Sequence, residues 1–502
     1  MTTTPMTTPR LLAMGIEGLD GILYGGLTAG GLYSIEGDTG AGKTTLCIQF
    51  LLAGAQAGER TLLVTLSESA ADLHMMARSH GWDLEGVEIL ELVASDRELS
   101  ADAHYTMFHP SEIELTETTR AIIDAAERIN ATRVVLDSVG ELRLLAQSSL
   151  RYRRQILALK RFFSEHDMTV LMVDDPRAEQ EDLAISSIAS GIITLEREAT
   201  EYGGFRRRLQ VLKMRGRAVR EGYHDCRIRT GGLEVYPRLV AAEHGHAYER
   251  ESIKSGLAEL DALLGGGLAR GTSSLFLGPA GTGKSSLATQ YARAAAARGD
   301  HAAIFLFDES ISTFLERSSG LGFDVQPLVA AGKLTLRVVD PAELAPGEFA
   351  ALVRTTVEQN DTRVVVIDSL TGFLNAMPSE KLLALHLHEL LSYLSGQGVT
   401  TIMVMAQHGL LGAVTSTPVD ASYLADTVLL LRYYEAQAEV CIAISVIKKR
   451  TGVHERTIRE LRFDDGAIRV GEPITNVVGV LSGTPWVAPE PVTDRRKVMR
   501  ST

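Results

Sequence analysis

The chain has 502 residues, too many for one ordinary core, so its length implies two or more domains. Hydrophobic residues at 45% and charged residues at 23% exclude a disordered chain, and a net charge of -13 argues against wholesale binding to nucleic acid, though a local basic groove stays possible. Three cysteines (Cys47, Cys226, Cys441) at no metal spacing, a polar Thr-rich start and no run of ~18 apolar residues lead us to expect a cytoplasmic chain without structural zinc, signal peptide or membrane span.

In chain order, residues 1–10 read as a flexible tail. GLYSIEG predicts a strand that runs into the loop GDTGAGKTT at 37–45, and KTTLCIQFLLAGAQAG predicts the helix after it. RTLLVTLSE, TRVVLDS and MTVLMVDD predict three more strands. RYRRQILALKRFF, residues 151–163, reads either as the lining of a single-strand DNA pore or as a helix. The helix reading turns Tyr152, Ile156, Leu159 and Phe163 inward and its cations to water. LQVLKMRG closes the first half, and a seam is expected over 231–252.

The second half repeats the first. GPAGTGKSS stands at 278–286, and Gly15/Gly256, Asp20/Asp261, Lys43/Lys284 and Glu68/Glu309 are all separated by 241 residues. SSLFLG, KSSLATQYARAAAARG, HAAIFLFDE, TRVVVIDS and VTTIMVM restate the strand and helix order. The reading is α/β: two tandem domains, 11–245 and 246–485, each a mostly parallel sheet flanked by helices, with a flexible tail at 486–502.

The chemistry starts at the two loops. G-x-x-x-x-G-K-[ST] between a strand and a helix makes a phosphate cradle, with backbone N–H groups turned inward and the helix dipole behind them. The expected ATP contacts are Gly37, Thr39, Gly40, Gly42, Lys43, Thr44 and Thr45 in the first copy, and Gly278, Gly281, Thr282, Gly283, Lys284, Ser285 and Ser286 in the second. The lysines reach the β- and γ-phosphates. Thr44 and Ser285 offer hydroxyls to Mg²⁺, joined by Asp137 and Asp368 at the tips of buried strands. Helix capping is the other use for those two acids.

Each of these acids is followed by Ser138 or Ser369, so a hydrolytic base has to come from elsewhere. Glu68 and Glu309 each lie 25 residues after their lysine, at the end of the next strand, and are the candidate catalytic carboxylates. The copies differ here. Asp308 precedes Glu309, whereas Ser67 precedes Glu68, and adjacent carboxylates hold more base strength near a γ-phosphate. Near the end of each copy, strict alternation puts Lys213 and Arg215 on one face with Leu209 and Val211, and Lys448 and Arg450 on one face with Ile444 and Val446. These cations read as a phosphate-sensing clamp reaching a neighbouring subunit, or as an ordinary solvated strand end.

GLDGILYGGLTAG, GDTGAGKTT, ARSHGWDL, RVVLDSV and LKMRG resemble the first domain of the KaiC family, a branch of the RecA-like ATPases. LGPAGTGKSS, FDES, VIDSL and HERTIREL resemble its second, and the likeness spans about residues 11–485. The resemblance implies a two-tiered homohexamer with ATP at subunit interfaces. Its first ring hydrolyses ATP slowly, and its second acts as a serine/threonine autokinase on a neighbouring Ser-Thr pair. The chain departs from the family where Glu-Glu pairs are replaced by Ser67-Glu68 and Asp308-Glu309. In SYLADTVLLL, Ser422 keeps the serine and Tyr423 replaces the threonine. Ser422 is therefore the expected phosphosite, with Thr417 a lesser candidate. The tail does not resemble the clock protein's partner-binding end, so a signalling switch with protein partners is expected rather than a daily oscillator. A regulatory ATPase without kinase activity and a DNA-directed motor are the rival readings.

Overall fold

Runs rich in Val, Ile and Leu favour strands, and a strand apolar on both faces needs helices above and below it. The computed structural model describes residues 10–92, 110–175, 184–199, 203–375, 383–407, 423–436, 438–464, 466–475, 477–480 and 486–487. Each copy builds one nine-stranded sheet. In the first, the spatial order is Gly232–Tyr236, Tyr223–Arg229, Arg206–Met214, Gly191–Glu198, Leu32–Gly37, Thr169–Asp174, Arg133–Asp137, Thr61–Thr65 and Val87–Glu91. From Gly191–Glu198 to Val87–Glu91 the pairing is parallel, and the remaining three strands join antiparallel. The second sheet repeats this order with Ser273–Gly278 as the loop strand and Thr362–Asp368 as the acidic strand.

Period-two burial sorts the strand residues between two helical layers. In the first unit Leu63, Val135, Leu171 and Val173 pack with Leu46, Ile48, Phe50 and Leu51 of the helix Lys43–Gln56. Their chain neighbours Leu62, Val64, Val134, Leu136, Val170 and Met172 face the helices Pro110–Ile129, Val139–Ala146 and Ser149–Glu165 on the other side. That last helix buries Tyr152, Ile156, Leu159 and Phe163 and leaves Arg151, Arg153 and Arg154 exposed, as its periodicity predicts. In the second unit Lys284–Ala297 covers one face, and Pro346–Asn360 and Leu383–Gly396 cover the other.

The chain divides into two compact units between Arg238 and Leu239. Within the expected seam, Gly232–Tyr236 is an edge strand of the first sheet, because Leu233 and Val235 alternate into its core. Past the division Leu239 is already buried in the second unit's core. Trp486–Val487, at the start of the expected tail, pairs antiparallel with Val477–Val478. Among the described residues no helix is long and apolar enough to cross a membrane.

Candidate nucleotide sites

Parallel pairing brings the ends of the loop strand and the acidic strand to one edge of each sheet. The first loop leaves the strand at Gly37 and enters its helix through Gly42, whose φ of 111° is closed to most side chains. Gly283 does the same in the second copy with φ 86°. Lys43 folds back over the loop, its Nζ donating to the carbonyls of Gly37 at 2.5 Å and Asp38 at 3.0 Å. Lys284 donates to the Pro279 carbonyl at 2.6 Å, and Thr282 to the same oxygen at 2.9 Å. Thr39 and Gly40 are exposed on the first loop, while Thr45 is buried behind it. Gly281 lies with Gly283 in the second cavity described below, and Gly278 holds the strand end, where an added Cβ would meet the Leu431 carbonyl at 2.3 Å.

The expected metal pairs are joined in both copies. Thr44 Oγ1 donates to Asp137 Oδ2 at 2.7 Å, and Ser285 Oγ to Asp368 Oδ1 at 3.0 Å. Burial pushes both aspartates above their ordinary range, against the pull of those hydroxyls and, for Asp137, of Lys43. A buried acid of this kind is short of positive charge, and a divalent cation fits it. The described residues contain no cluster of three or more His, Cys, Asp or Glu side chains suited to a metal. A cation here would therefore rely on one hydroxyl, one carboxylate, phosphate oxygens and water.

The carboxylates diverge in setting as well as in sequence. Glu68 is exposed just past the strand Thr61–Thr65. Thr65 Oγ1 fixes its backbone, accepting its N–H at 3.1 Å and donating to its carbonyl at 2.6 Å. Partial desolvation, then the charges of Asp137 and Asp72, push its carboxyl up. Among the described residues no cation forms an ion pair with it.

In the second copy a cavity of about 500 Å³ gathers Lys284, Ser285, Ser286, Asp308, Glu309 and Asp368. Here Asp308 Oδ2 accepts the Ser369 hydroxyl at 2.5 Å. Glu309 is gripped by Arg317, Nε to Oε1 at 3.1 Å and Nη2 to Oε2 at 2.9 Å. Burial also pulls the Lys284 ammonium down to about 8, with Asp368 opposing.

The four predicted clamp cations lie away from the phosphate loop of their own sheet. Leu195 pairs with Gly37 at the loop edge, whereas Gly191 pairs with Met214, so Lys213 and Arg215 end at the opposite edge of the sheet. Lys448 and Arg450 end likewise, with Lys449 opposite Thr427 and Leu430 beside Leu277.

Strict alternation also fails. The register shifts between Ile192 and Ile193, leaving Leu212 exposed and setting Lys213 opposite Ile192, on the face away from Val211. The same shift exposes Ile447 and sets Lys448 opposite Val428. A β-bulge in each copy thus corrects the one-face expectation. Lys213 and Arg215 bond the carbonyls of Ser186 and Ser187 at 2.5 and 2.8 Å, and Lys160 bonds that of Ile188 at 2.7 Å. Lys448 bonds the Ala425 carbonyl at 2.7 Å, and Arg450 meets Asp426 and the Tyr423 carbonyl at 3.3 and 3.1 Å.

Sequence reasoning missed Ser369 as a partner of Asp308, and it missed Arg317. The signal was available at the fixed offset, where Arg317 stands opposite Met76 (317 − 241 = 76). Ser422 and Thr417 lie outside the described residues.

A family model for the KaiC ATPase matches residues 12–240 and 253–474. The chain is 27% identical over 489 residues to the circadian clock protein KaiC3 of Synechocystis sp., covering 96% of each chain. It is 27% identical over 491 residues to the circadian clock oscillator protein KaiC of Picosynechococcus sp., covering 97% of this chain and 94% of that one. Against the KaiC of Synechococcus elongatus identity is 26% over 499 residues, covering 97% and 95%.

Proposed function

The chain belongs to the KaiC family of ATPases, and from that premise we propose a division of labour between its two ATP sites. The first hydrolyses ATP with Glu68 as base. The second transfers the γ-phosphoryl group to Ser422 of a neighbouring subunit, within a cytoplasmic homohexamer that acts as a switch for signalling proteins. One observation carries the ATP chemistry. In both copies a lysine-filled loop stands beside a hydroxyl bonded to a buried aspartate, Thr44 to Asp137 and Ser285 to Asp368.

At the first site the attacking water gives its proton to Glu68 as its oxygen bonds the γ-phosphorus, and the bond to the β–γ bridging oxygen breaks to release ADP. The raised carboxyl of Glu68 suits a group that must accept a proton. At the second site the Ser422 hydroxyl replaces water as nucleophile, and Asp308 takes the proton. Mg²⁺, held by Thr44 with Asp137 and by Ser285 with Asp368, would neutralise charge on the phosphate oxygens.

A second reading keeps the ATPase and drops the kinase. It is favoured by the engagement of both second-site acids, Asp308 by Ser369 and Glu309 by Arg317. Titration with a fluorescent ATP analogue should saturate at two equivalents per chain, and saturation at one removes the two-site basis. Mass spectrometry after incubation with Mg-ATP should place phosphate on Ser422, and Asp308→Asn and Lys284→Ala should abolish it. A blank over residues 415–425 leaves the regulatory ATPase.

A further inference from the structure

Arg317 is a cation of the second site with no counterpart at the matching position of the first. Its helix, Ile311–Gly320, starts two residues after Glu309 and is capped by the Ser310 hydroxyl, which accepts the Thr313 N–H at 3.1 Å. The cap fixes the helix against the carboxylate, and Arg317, eight residues on, folds back to it. The guanidinium leans over the buried Phe314 ring at 5.2 Å, with Nη1 3.5 Å from the Ser286 hydroxyl on the phosphate-loop helix. Its planar fork then engages both oxygens of Glu309.

The equivalent helix of the first unit, Ala70–Ser79, is capped in the same way by Ser69. There Met76 occupies the arginine's position and packs against the core. Two sites with the same loop, metal pair and glutamate therefore differ in whether that glutamate is held. We propose that Arg317 is a positioning residue that clamps Glu309 away from water in line with the γ-phosphate, so that the second site retains ATP and hydrolyses it slowly.

A carboxylate with both oxygens bound to one guanidinium is fixed in orientation, and it must break a charge-assisted bond before it can take water's proton. The pair is accessible, with 26% of the Arg317 side chain and 20% of the Glu309 side chain exposed, so it is a clamp that can be displaced rather than a core ion pair. Slow hydrolysis is what an autokinase site needs, because water and the acceptor hydroxyl compete for the same phosphoryl group. The inference rests on the two-site reading above.

The test uses the full chain with Glu68→Gln, which silences the first site and leaves the second to report. In that background Arg317→Met, the first-site residue, should raise kcat about 10-fold, since a positioned general base is worth 10² or more, while KM stays within about two-fold. Arg317→Lys, whose ammonium cannot fork both oxygens, should give a smaller rise. Adding Glu309→Gln to Arg317→Met should erase the gain. A merely structural arginine would shift KM or melting without a Glu309-dependent gain in kcat. Unchanged or lower turnover in both Arg317 variants, or a gain that survives Glu309→Gln, overturns the clamp. Should Glu68→Gln leave total turnover intact, the first-site assignment falls separately, and Arg317→Met in the otherwise unaltered chain must still raise turnover through Glu309.

Discussion

Ser369 donates its hydroxyl to Asp308 at 2.5 Å, and the same oxygen accepts the Gly372 N–H at 3.1 Å. The serine thus ties the candidate base to the start of the helix Leu370–Asn375. Gly372 leaves room for this arrangement, because a Cβ there would stand 2.2 Å from Asp308 Oδ1. In the first unit Glu141 stands at the matching place (372 − 231 = 141), and a Cβ on its neighbour Gly140 would meet only Ser138 Oγ, at 3.5 Å.

Gly372→Ala should therefore expel the Asp308 carboxylate and lower second-site phosphoryl transfer by about 10²-fold, the low end of what a general base supplies. Gly140→Ala should change stability by less than about 0.5 kcal/mol and leave ATP turnover alone. Phosphate incorporation and urea melts on the two variants check this, and equal losses from both would show that the serine tie has no special role.

Lys284 gives the second site a pH signature. Burial lowers its ammonium to about 8 from an ordinary 10.5. Above pH 8 the unliganded lysine is neutral, while the triphosphate needs it charged, so ATP binding should take up a proton. Second-site affinity should then fall by up to about tenfold per pH unit beyond 8. The stability effect has the opposite sense. Between about 8 and 10.5 the unfolded chain holds a proton that the folded chain does not, so unliganded stability gains from this group as pH rises through that window. Calorimetry at pH 9 in two buffers of unlike ionisation enthalpy measures the uptake, and Lys284→Met should remove it.

The sequence made the duplicated sheet legible because its strands are short, apolar on both faces and repeated at a constant offset. The meeting of each loop helix with Asp137 or Asp368 followed from spacing, since a loop helix and a strand tip must meet at a parallel sheet's edge. The one-face reading of Lys213 with Val211 and of Lys448 with Val446 failed because a bulge adds one residue to a strand without any mark in a two-letter apolar pattern, and Leu212 looks as buried as Val211. Gly232–Tyr236 was absorbed into the seam because five residues carry too little alternation to distinguish an edge strand from a linker. Arg317 and Ser369 were invisible for a different reason. Their roles depend on tertiary approach, and only the comparison of Arg317 with Met76 hinted at one of them.

Arg133 is 3% exposed, yet three of its N–H groups are bonded: Nε meets Glu59 at 2.5 Å, and Nη1 donates to the carbonyls of Ala13 and Phe50 at 2.6 and 2.8 Å. Its guanidinium also lies 4.6 Å from the centre of the Phe50 ring. Arg133→Met takes the donor from the buried Phe50 carbonyl and the part-buried Ala13 carbonyl and leaves Glu59 with Arg10 alone, which should cost the first unit about 3 kcal/mol. Val364 stands at the matching place in the second unit (133 + 231 = 364, the offset of Asp137 and Asp368), so that unit should be untouched. Trp82, packed at the edge of the first core, supplies a fluorescence probe for urea unfolding. A midpoint that does not move would mean the arginine is replaceable by apolar packing.

Lys213 and Arg215 sit one strand length from their own phosphate loop. The strand Leu32–Gly37 has six residues, and at ~3.3 Å each it separates the two edges by about 20 Å, beyond the reach of an arginine. Any action on a γ-phosphate must then be on a nucleotide outside this site. Lys160 joins them at the carbonyls of residues 186–188, which concentrates three positive charges at one edge. Arg215→Ala should lower first-site turnover by about 10³-fold if it serves as a finger in trans. Glu68→Gln should be inactive at the first site for the separate reason that it lacks the base there. Mixing the two should restore part of the activity, because some interfaces then join an intact Arg215 from one chain to an intact Glu68 from the other. Turnover of the mixed variants, combined before Mg-ATP is added, decides it. Recovery no greater than the sum of the separate variants would assign these cations to the strand end alone.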